Sequence, residues 1–175
     1  MSQPFSTVSH SQLDLNGLSA QILAVGDALR AKQWTLTTAE SCTGGGIAYA
    51  LTSVAGSSDW FKQGWVTYAN EAKQHLVNVS KDSLTAYGAV SAQVVTEMAI
   101  GAAHNAGAQC AVAVSGVAGP GGGSEAKPVG TVWFGFTING NSDALVKQFA
   151  GDRAAVRNQS IEFAVSTLHQ RLVAV

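Results

Sequence analysis

A chain of 175 residues, 46% of them apolar, can bury one sizeable core and is too short for two. Ten Lys and Arg residues stand against eleven Asp and Glu, a formal charge of -1 with no basic run, so no nucleic-acid partner is expected. No stretch approaches the ~20 apolar residues of a bilayer span, and residues 1–10 lack the basic start and apolar run of an export signal, so no membrane partner and a cytoplasmic location are expected.

Residues 1–14 read as a mobile N-terminal extension and 15–175 as one domain. Leu18, Ile22, Val25 and Leu29 recur at helical spacing, and residues 34–38 then read as a buried strand. Glu40-Ser-Cys-Thr-Gly-Gly-Gly46 makes a strand-to-helix turn, after which Ile47, Leu51 and Val54 mark a helix ending near Gly56. Residues 65–68 read as a short strand, and Asn70 as the cap of a helix that begins at Glu71 and carries Lys73. Ser91 caps the next expected helix, which holds Val94, Val95 and Met98 and stops at Gly107.

The apolar run 110–114 fits a strand covered on both faces, and it leads into a glycine-rich loop over 115–127 that is expected to be mobile. Residues 131–138 form the next strand, Asn139-Gly140 a tight hairpin turn, and 144–149 the returning strand. Asp152 then caps a last helix with Ile161, Val165, Leu168 and Leu172 on one face. Alternating helices and strands with one hairpin predict an α/β fold, a three-layer α/β/α sandwich around a mixed β-sheet.

Two segments carry residues suited to chemistry. Ser41 sits between a buried strand and a helix N-terminus, where the backbone N–H groups of Thr43, Gly44 and Gly45 can hold an oxyanion and the glycines let a substrate approach. Ser, Thr and Gly are also common helix starters. A serine nucleophile needs a base, and no histidine lies in a segment that returns to this turn. Lys73 can serve if burial and the helix dipole depress its pKa, with Tyr68 hydrogen-bonding the amine or relaying the proton.

The glycines of the loop, Gly116 and Gly119 among them, can form an anion-binding nest, and Arg153 and Arg157 near the last helix can add cationic contacts. The loop lacks the ending of a nucleotide P-loop and the spacing of a dinucleotide fingerprint. Ser124-Glu-Ala-Lys127 has the Ser-x-x-Lys spacing of penicillin-recognising enzymes but lies before Pro128 and not at a helix start. Cys42 and Cys110 are far apart, and His10, His75, His104 and His169 show no short ligand spacing with them, so neither a disulfide framework nor a metal site is expected.

Thr38-Ala-Glu-Ser-Cys-Thr-Gly-Gly45 and Val66-Thr-Tyr-Ala-Asn-Glu-Ala-Lys73 together resemble the signature of the CinA C-terminal domain family. Ser115-Gly-Val-Ala-Gly-Pro120, Lys127-Pro-Val-Gly-Thr-Val-Trp133 and Gly151-Asp-Arg153 match it in the same order, so that the likeness runs over about residues 15–172. The resemblance implies hydrolysis of the carboxamide of nicotinamide mononucleotide, a small-molecule nucleotide substrate, to the acid nucleotide and ammonia in pyridine-nucleotide salvage. By motif position it places the nucleophile on Ser41, the lysine on Lys73 and the tyrosine on Tyr68. It implies no metal or organic cofactor and a homodimer as the assembly. Two other readings stand beside it: an amidase using Cys42 as a thiolate at the same helix N-terminus, and a nucleotide-binding module without catalysis.

Overall fold

A computed structural model describes residues 12–175; residues 1–11, most of the expected extension, lie outside the described residues. Helix α1 spans Leu15–Lys32, with the Asp14 side chain accepting a bond from the Gly17 N–H at 2.9 Å. Leu13 packs against the core. Leu13, placed in the extension by the sequence reading, is thus part of the packed structure.

The chain continues through β1 (Leu36–Glu40), α2 (Gly46–Leu51), β2 (Phe61–Val66), α3 (Asn70–Val77), α4 (Lys81–Tyr87), α5 (Ala92–Ala106), β3 (Cys110–Gly116), β4 (Thr131–Ile138), β5 (Asn141–Gln148) and α6 (Arg153–Val173). The sheet has the order β2-β1-β3-β4-β5. Strand β1 pairs in parallel with β2 and β3, while β3–β4 and β4–β5 are antiparallel. The expected mixed sheet is present. The hairpin turn has Asn139 at φ 48 and Gly140 at φ 84, the left-handed pair that a two-residue turn requires.

Strand alternation divides the core into two layers. Cys110, Val112 and Val114 of β3 join Val132, Phe134, Phe136 and Ile138 of β4 in the apolar layer that also holds the buried faces of α1, α2 and α6. Ala111 and Ala113 face the other way with Ala39, meeting Val94, Val95 and Met98 of α5 and Val77 of α3. The small residues on this second face admit a close helix. A Cβ on Gly135 of β4 would lie 2.1 Å from the Val95 carbonyl oxygen.

The same device fixes α3, the helix carrying Lys73. A Cβ on Gly101 of α5 would meet the Val77 carbonyl oxygen at 1.8 Å. Gly→Ala in an unobstructed helix stabilises by about 1 kcal/mol. Here the sign reverses: Gly101→Ala is expected to cost about 2–3 kcal/mol and lower Tm by about 5–10 °C, because one backbone must move away from the other. Thermal unfolding of the two proteins tests this, and an unchanged Tm would show that α3 and α5 are not in contact here.

Several expected boundaries differ from the observed ones; β5 starts at Asn141, three residues earlier than expected, because it pairs with β4 right up to the hairpin turn. Strand β1 starts two residues later than expected, because the Trp34 N–H closes the end of α1 on the Leu29 carbonyl and the Thr35 N–H bonds the Gln109 side chain. Helix α2 stops at Leu51 and excludes Val54; the hydroxyls of Thr52 and Ser53 bond the Ala48 and Ala50 carbonyls. Strand β2 begins at Phe61 and ends before Thr67 and Tyr68. Asn70 is not a cap: it is the first residue of α3, whose N-cap Ala69 offers no side-chain bond. Ser91 and Asp152 cap α5 and α6 as expected.

Candidate active site

The carboxyl ends of the three parallel strands meet at one edge of the fold, with Glu40 of β1 in register with Val66 of β2 and Val114 of β3. The chain leaves β1 and β2 towards opposite sides of the sheet, α2 packing on one face and α3 on the other, and ligands of open α/β sheets bind in the crevice at such a point. Ser41 is the first residue beyond β1, and its N–H still bonds the Val114 carbonyl at 3.0 Å. The backbone then turns sharply through Gly44 at φ 61 and Gly45 at φ 96, both left-handed and strained for any residue with a Cβ.

Lys73 reaches back along α3 to this turn. Its Nζ lies 3.3 Å from Ser41 Oγ, 2.8 Å from the Thr67 carbonyl and 3.2 Å from the Tyr68 carbonyl. The side chain is 1% exposed and pairs with no carboxylate among the described residues. Burial pushes the ammonium below its ordinary pKa, a larger effect than the opposing one of Cys42. A neutral amine matches the three partners, since its two N–H groups suit the two carbonyls and its lone pair can accept the Ser41 hydroxyl.

Tyr68 occupies a different place from the one expected. Its backbone carbonyl, and not its hydroxyl, meets the amine. The ring is 59% exposed, and the hydroxyl accepts a bond from Arg153 at 3.1 Å. The second Arg153 nitrogen donates to the Gly119 carbonyl at 2.9 Å. Arg153 therefore bridges the glycine-rich loop and the Tyr68 ring. Beneath it lies a cavity of ≈ 500 Å³ lined by Ala118, Gly119, Pro120, Gly151, Arg153 and Arg157, among others. Arg157 connects this cavity to the Ser41–Gly45 turn by donating to the Thr43 carbonyl at 3.0 Å.

The loop glycines divide in their roles. A Cβ on Gly116 would lie 2.8 Å from the Thr131 carbonyl oxygen, so this glycine is required at the end of β3, where it pairs with the start of β4. Gly119 turns its carbonyl towards Arg153, so its oxygen, unlike the N–H of a simple anion nest, is already engaged. The loop is also tied at several points: the Val117 N–H bonds the Thr131 carbonyl, the Gly130 N–H bonds the Val117 carbonyl, and Lys127 Nζ donates to the Tyr87 carbonyl.

The expected oxyanion donors require correction as well. The Gly44 N–H bonds the Ser41 carbonyl, and the Gly45 N–H bonds the Glu40 carboxylate at 3.1 Å. Of the three donors expected from the turn, only the Thr43 N–H is outside these bonds. Glu40 itself, fully buried, accepts from Thr43 Oγ1 and from the N–H groups of Gly45, Ile47 and Ala48. Its position five residues ahead of the N-cap hides this contact from ordinary capping patterns.

Cys42 does not suit a thiolate mechanism. It is 6% exposed, and burial pushes its thiol up to about 12, so the reactive anion is scarce near neutral pH. No cluster of three or more metal-ligating side chains occurs among the described residues, nor is any helix there long and apolar enough to cross a membrane.

Comparison with known proteins bears on this arrangement. The chain is 56% identical over 158 residues to nicotinamide-nucleotide amidohydrolase PncC of Enterobacter agglomerans, covering 90% of this chain and 94% of that protein. It is 54% identical to the protein of the same name from Escherichia coli strain K12, covering 85% and 91%. Among solved structures, a CinA superfamily protein of Klebsiella pneumoniae superposes with a TM-score of 0.86 at 40% identity, covering 90% of this chain and 99% of that one. The CinA C-terminal domain family matches residues 19–172, and the chain belongs to that family.

Proposed function

We propose that this protein is an amidohydrolase that converts nicotinamide mononucleotide to nicotinic acid mononucleotide and ammonia through a Ser41–Lys73 pair. The observation that carries the mechanism is the buried Lys73 amine, 3.3 Å from Ser41 Oγ and held by two carbonyls, with no carboxylate partner among the described residues. The names of relatives at 56% and 54% identity support the substrate.

In this route Lys73 takes the Ser41 proton as Oγ attacks the carboxamide carbon, and the carbonyl oxygen becomes an oxyanion at the Ser41–Gly45 turn. Collapse breaks the C–N bond; the nitrogen takes up the proton that Lys73 accepted and leaves as ammonia, which returns Lys73 to the neutral amine, and the nicotinoyl group remains esterified to Ser41. Lys73 then removes a proton from water, which attacks the ester and releases the carboxylate and the serine. The Tyr68 hydroxyl accepts from Arg153 and keeps its own proton for a substrate atom, a place from which it can serve the leaving nitrogen. No step requires a metal or an organic cofactor.

Purified protein treated with a chelator is expected to release ammonia and the acid nucleotide from nicotinamide mononucleotide in equal amounts. Nucleotide binding without ammonia release would instead favour a binding module.

The cavity at Arg153 and Arg157 is assigned to the ribose phosphate. Charge-assisted bonds of this kind contribute about 1.5–3 kcal/mol, so Arg153→Ala should raise KM for the mononucleotide by about 10–100-fold and leave the riboside, a poor substrate, almost unaffected. Equal specificity constants for nucleotide and riboside in the parent protein would remove the phosphate from this cavity.

A further inference from the structure

We infer that Glu40 is a positioning residue for the nucleophile: its buried carboxylate clamps the Ser41–Gly45 turn against α2, so that Ser41 Oγ stays aligned with Lys73 and the oxyanion forms at the Cys42–Thr43 end of the turn. The inference rests on the Ser41–Lys73 reading above.

Helix α2 has no side-chain cap of its own, because its N-cap is Gly45. Glu40 supplies the missing acceptor from the end of β1. Oε2 takes Thr43 Oγ1 at 2.5 Å, the Gly45 N–H at 3.1 Å and the Ile47 N–H at 3.0 Å, while Oε1 takes the Ala48 N–H at 2.8 Å. One carboxylate thus ties both ends of a turn that contains two left-handed glycines and would otherwise be free to flex.

The same bonds decide which backbone donors face the chemistry. Gly45, Ile47 and Ala48 spend their N–H groups on Glu40, and Gly44 spends its own on the Ser41 carbonyl. Among the described residues the Thr43 N–H makes no backbone bond, while the Cys42 N–H lies against its own thiol. Arg157 holds the Thr43 carbonyl from the opposite side at 3.0 Å, which fixes the orientation of that peptide segment. Glu40 does not meet Lys73 Nζ, whose partners are Ser41, Thr67 and Tyr68.

Glu40→Gln tests this. An amide can keep its oxygen at the three-donor position, but its NH₂ then opposes the Ala48 N–H, donor against donor. Misplacing a reacting group by about 1 Å can cost about 10² in rate. We expect Glu40→Gln, and Glu40→Asp with its shorter reach, to lower kcat by about 10² with KM within about threefold and the acid limb of the pH profile unmoved.

Ser91→Ala is the control, removing from α5 a cap that bonds the Val94 N–H at 3.3 Å, and should lower Tm while keeping kcat. A Glu40→Gln kcat within about threefold of the parent overturns the inference, as does a loss carried by KM or by a displaced acid limb.

Two further measurements do not depend on the amide substrate. A fluorophosphonate forms a bond from Ser41 Oγ to phosphorus with loss of fluoride, and its labelling rate should fall in Glu40→Gln in parallel with kcat; an equal rate overturns the inference. Parent protein that labels at Ser41 yet releases no ammonia would refute the substrate reading alone. If neither variant folds, hydrogen exchange in the parent decides, since the amides of Gly45, Ile47 and Ala48 should be protected while that of Thr43 exchanges fast, and unprotected amides at those three positions overturn the clamp.

Discussion

Ser41→Ala is expected to lower turnover of nicotinamide mononucleotide by at least ~10³-fold, whereas Cys42→Ala should keep most of it. The two residues are adjacent and both close to the N-terminal end of α2, so position alone does not separate them. Their environments do. Ser41 Oγ is 3.3 Å from an amine whose pKa is lowered by burial, and that amine can accept its proton. The Cys42 thiol is packed into the apolar layer with α1, α2 and α6, and burial holds it in the neutral form.

The residual activity of Ser41→Ala measures what binding and the oxyanion site achieve without a covalent route. Steady-state kinetics of both variants, with mass spectrometry for an acyl group on Ser41 after a rapid quench, checks the assignment. An inactive Cys42→Ala beside an active Ser41→Ala would reverse it.

Much of this fold was legible because its long elements carry strong periodic patterns. Leu18, Ile22, Val25 and Leu29 declared α1, the run from Cys110 declared β3, and Ser91 with Gly107 bracketed α5 at both ends. Helix α4 escaped notice because none of its residues is buried and no apolar stripe marks it. Edge strand β2 is short of apolar signal for a related reason, since Lys62, Gln63 and Gly64 are exposed.

At the site, Ser41, Lys73 and Arg153 could be named from motif positions, and the structure places all three along one continuous network. What the motif could not convey is which atom of each residue does the work. Tyr68 contributes a carbonyl to the amine and its hydroxyl to Arg153, a division set by the backbone path between β2 and α3. Glu40 is part of the recognised motif, yet its contact with α2 depends on the reversal of the chain at Gly44 and Gly45, which only the three-dimensional turn reveals.

Lys73 bears the second large expectation, and its chemistry makes the test sharp. A base must be neutral at working pH, although a free lysine titrates near ~10.4. Burial of the amine at 1% exposure lowers that value. Below the lowered pKa the amine is protonated and cannot accept the Ser41 proton, so kcat/KM should rise with pH through it and level off above.

The linked stability has the same sign: between the lowered pKa and ~10.4 the unfolded chain binds a proton that the native state does not, so stability rises with pH across that window. Lys73→Ala removes the base and should cost at least ~10³ in kcat. Lys73→Arg keeps a positive charge but cannot release its proton at accessible pH, and should be nearly as inactive. If Lys73 served only to attract the substrate phosphate, Lys73→Arg would keep kcat and chiefly raise KM. Kinetics of both variants across pH separate the two roles, and a folded, fully active Lys73→Arg protein would rule out Lys73 as the base.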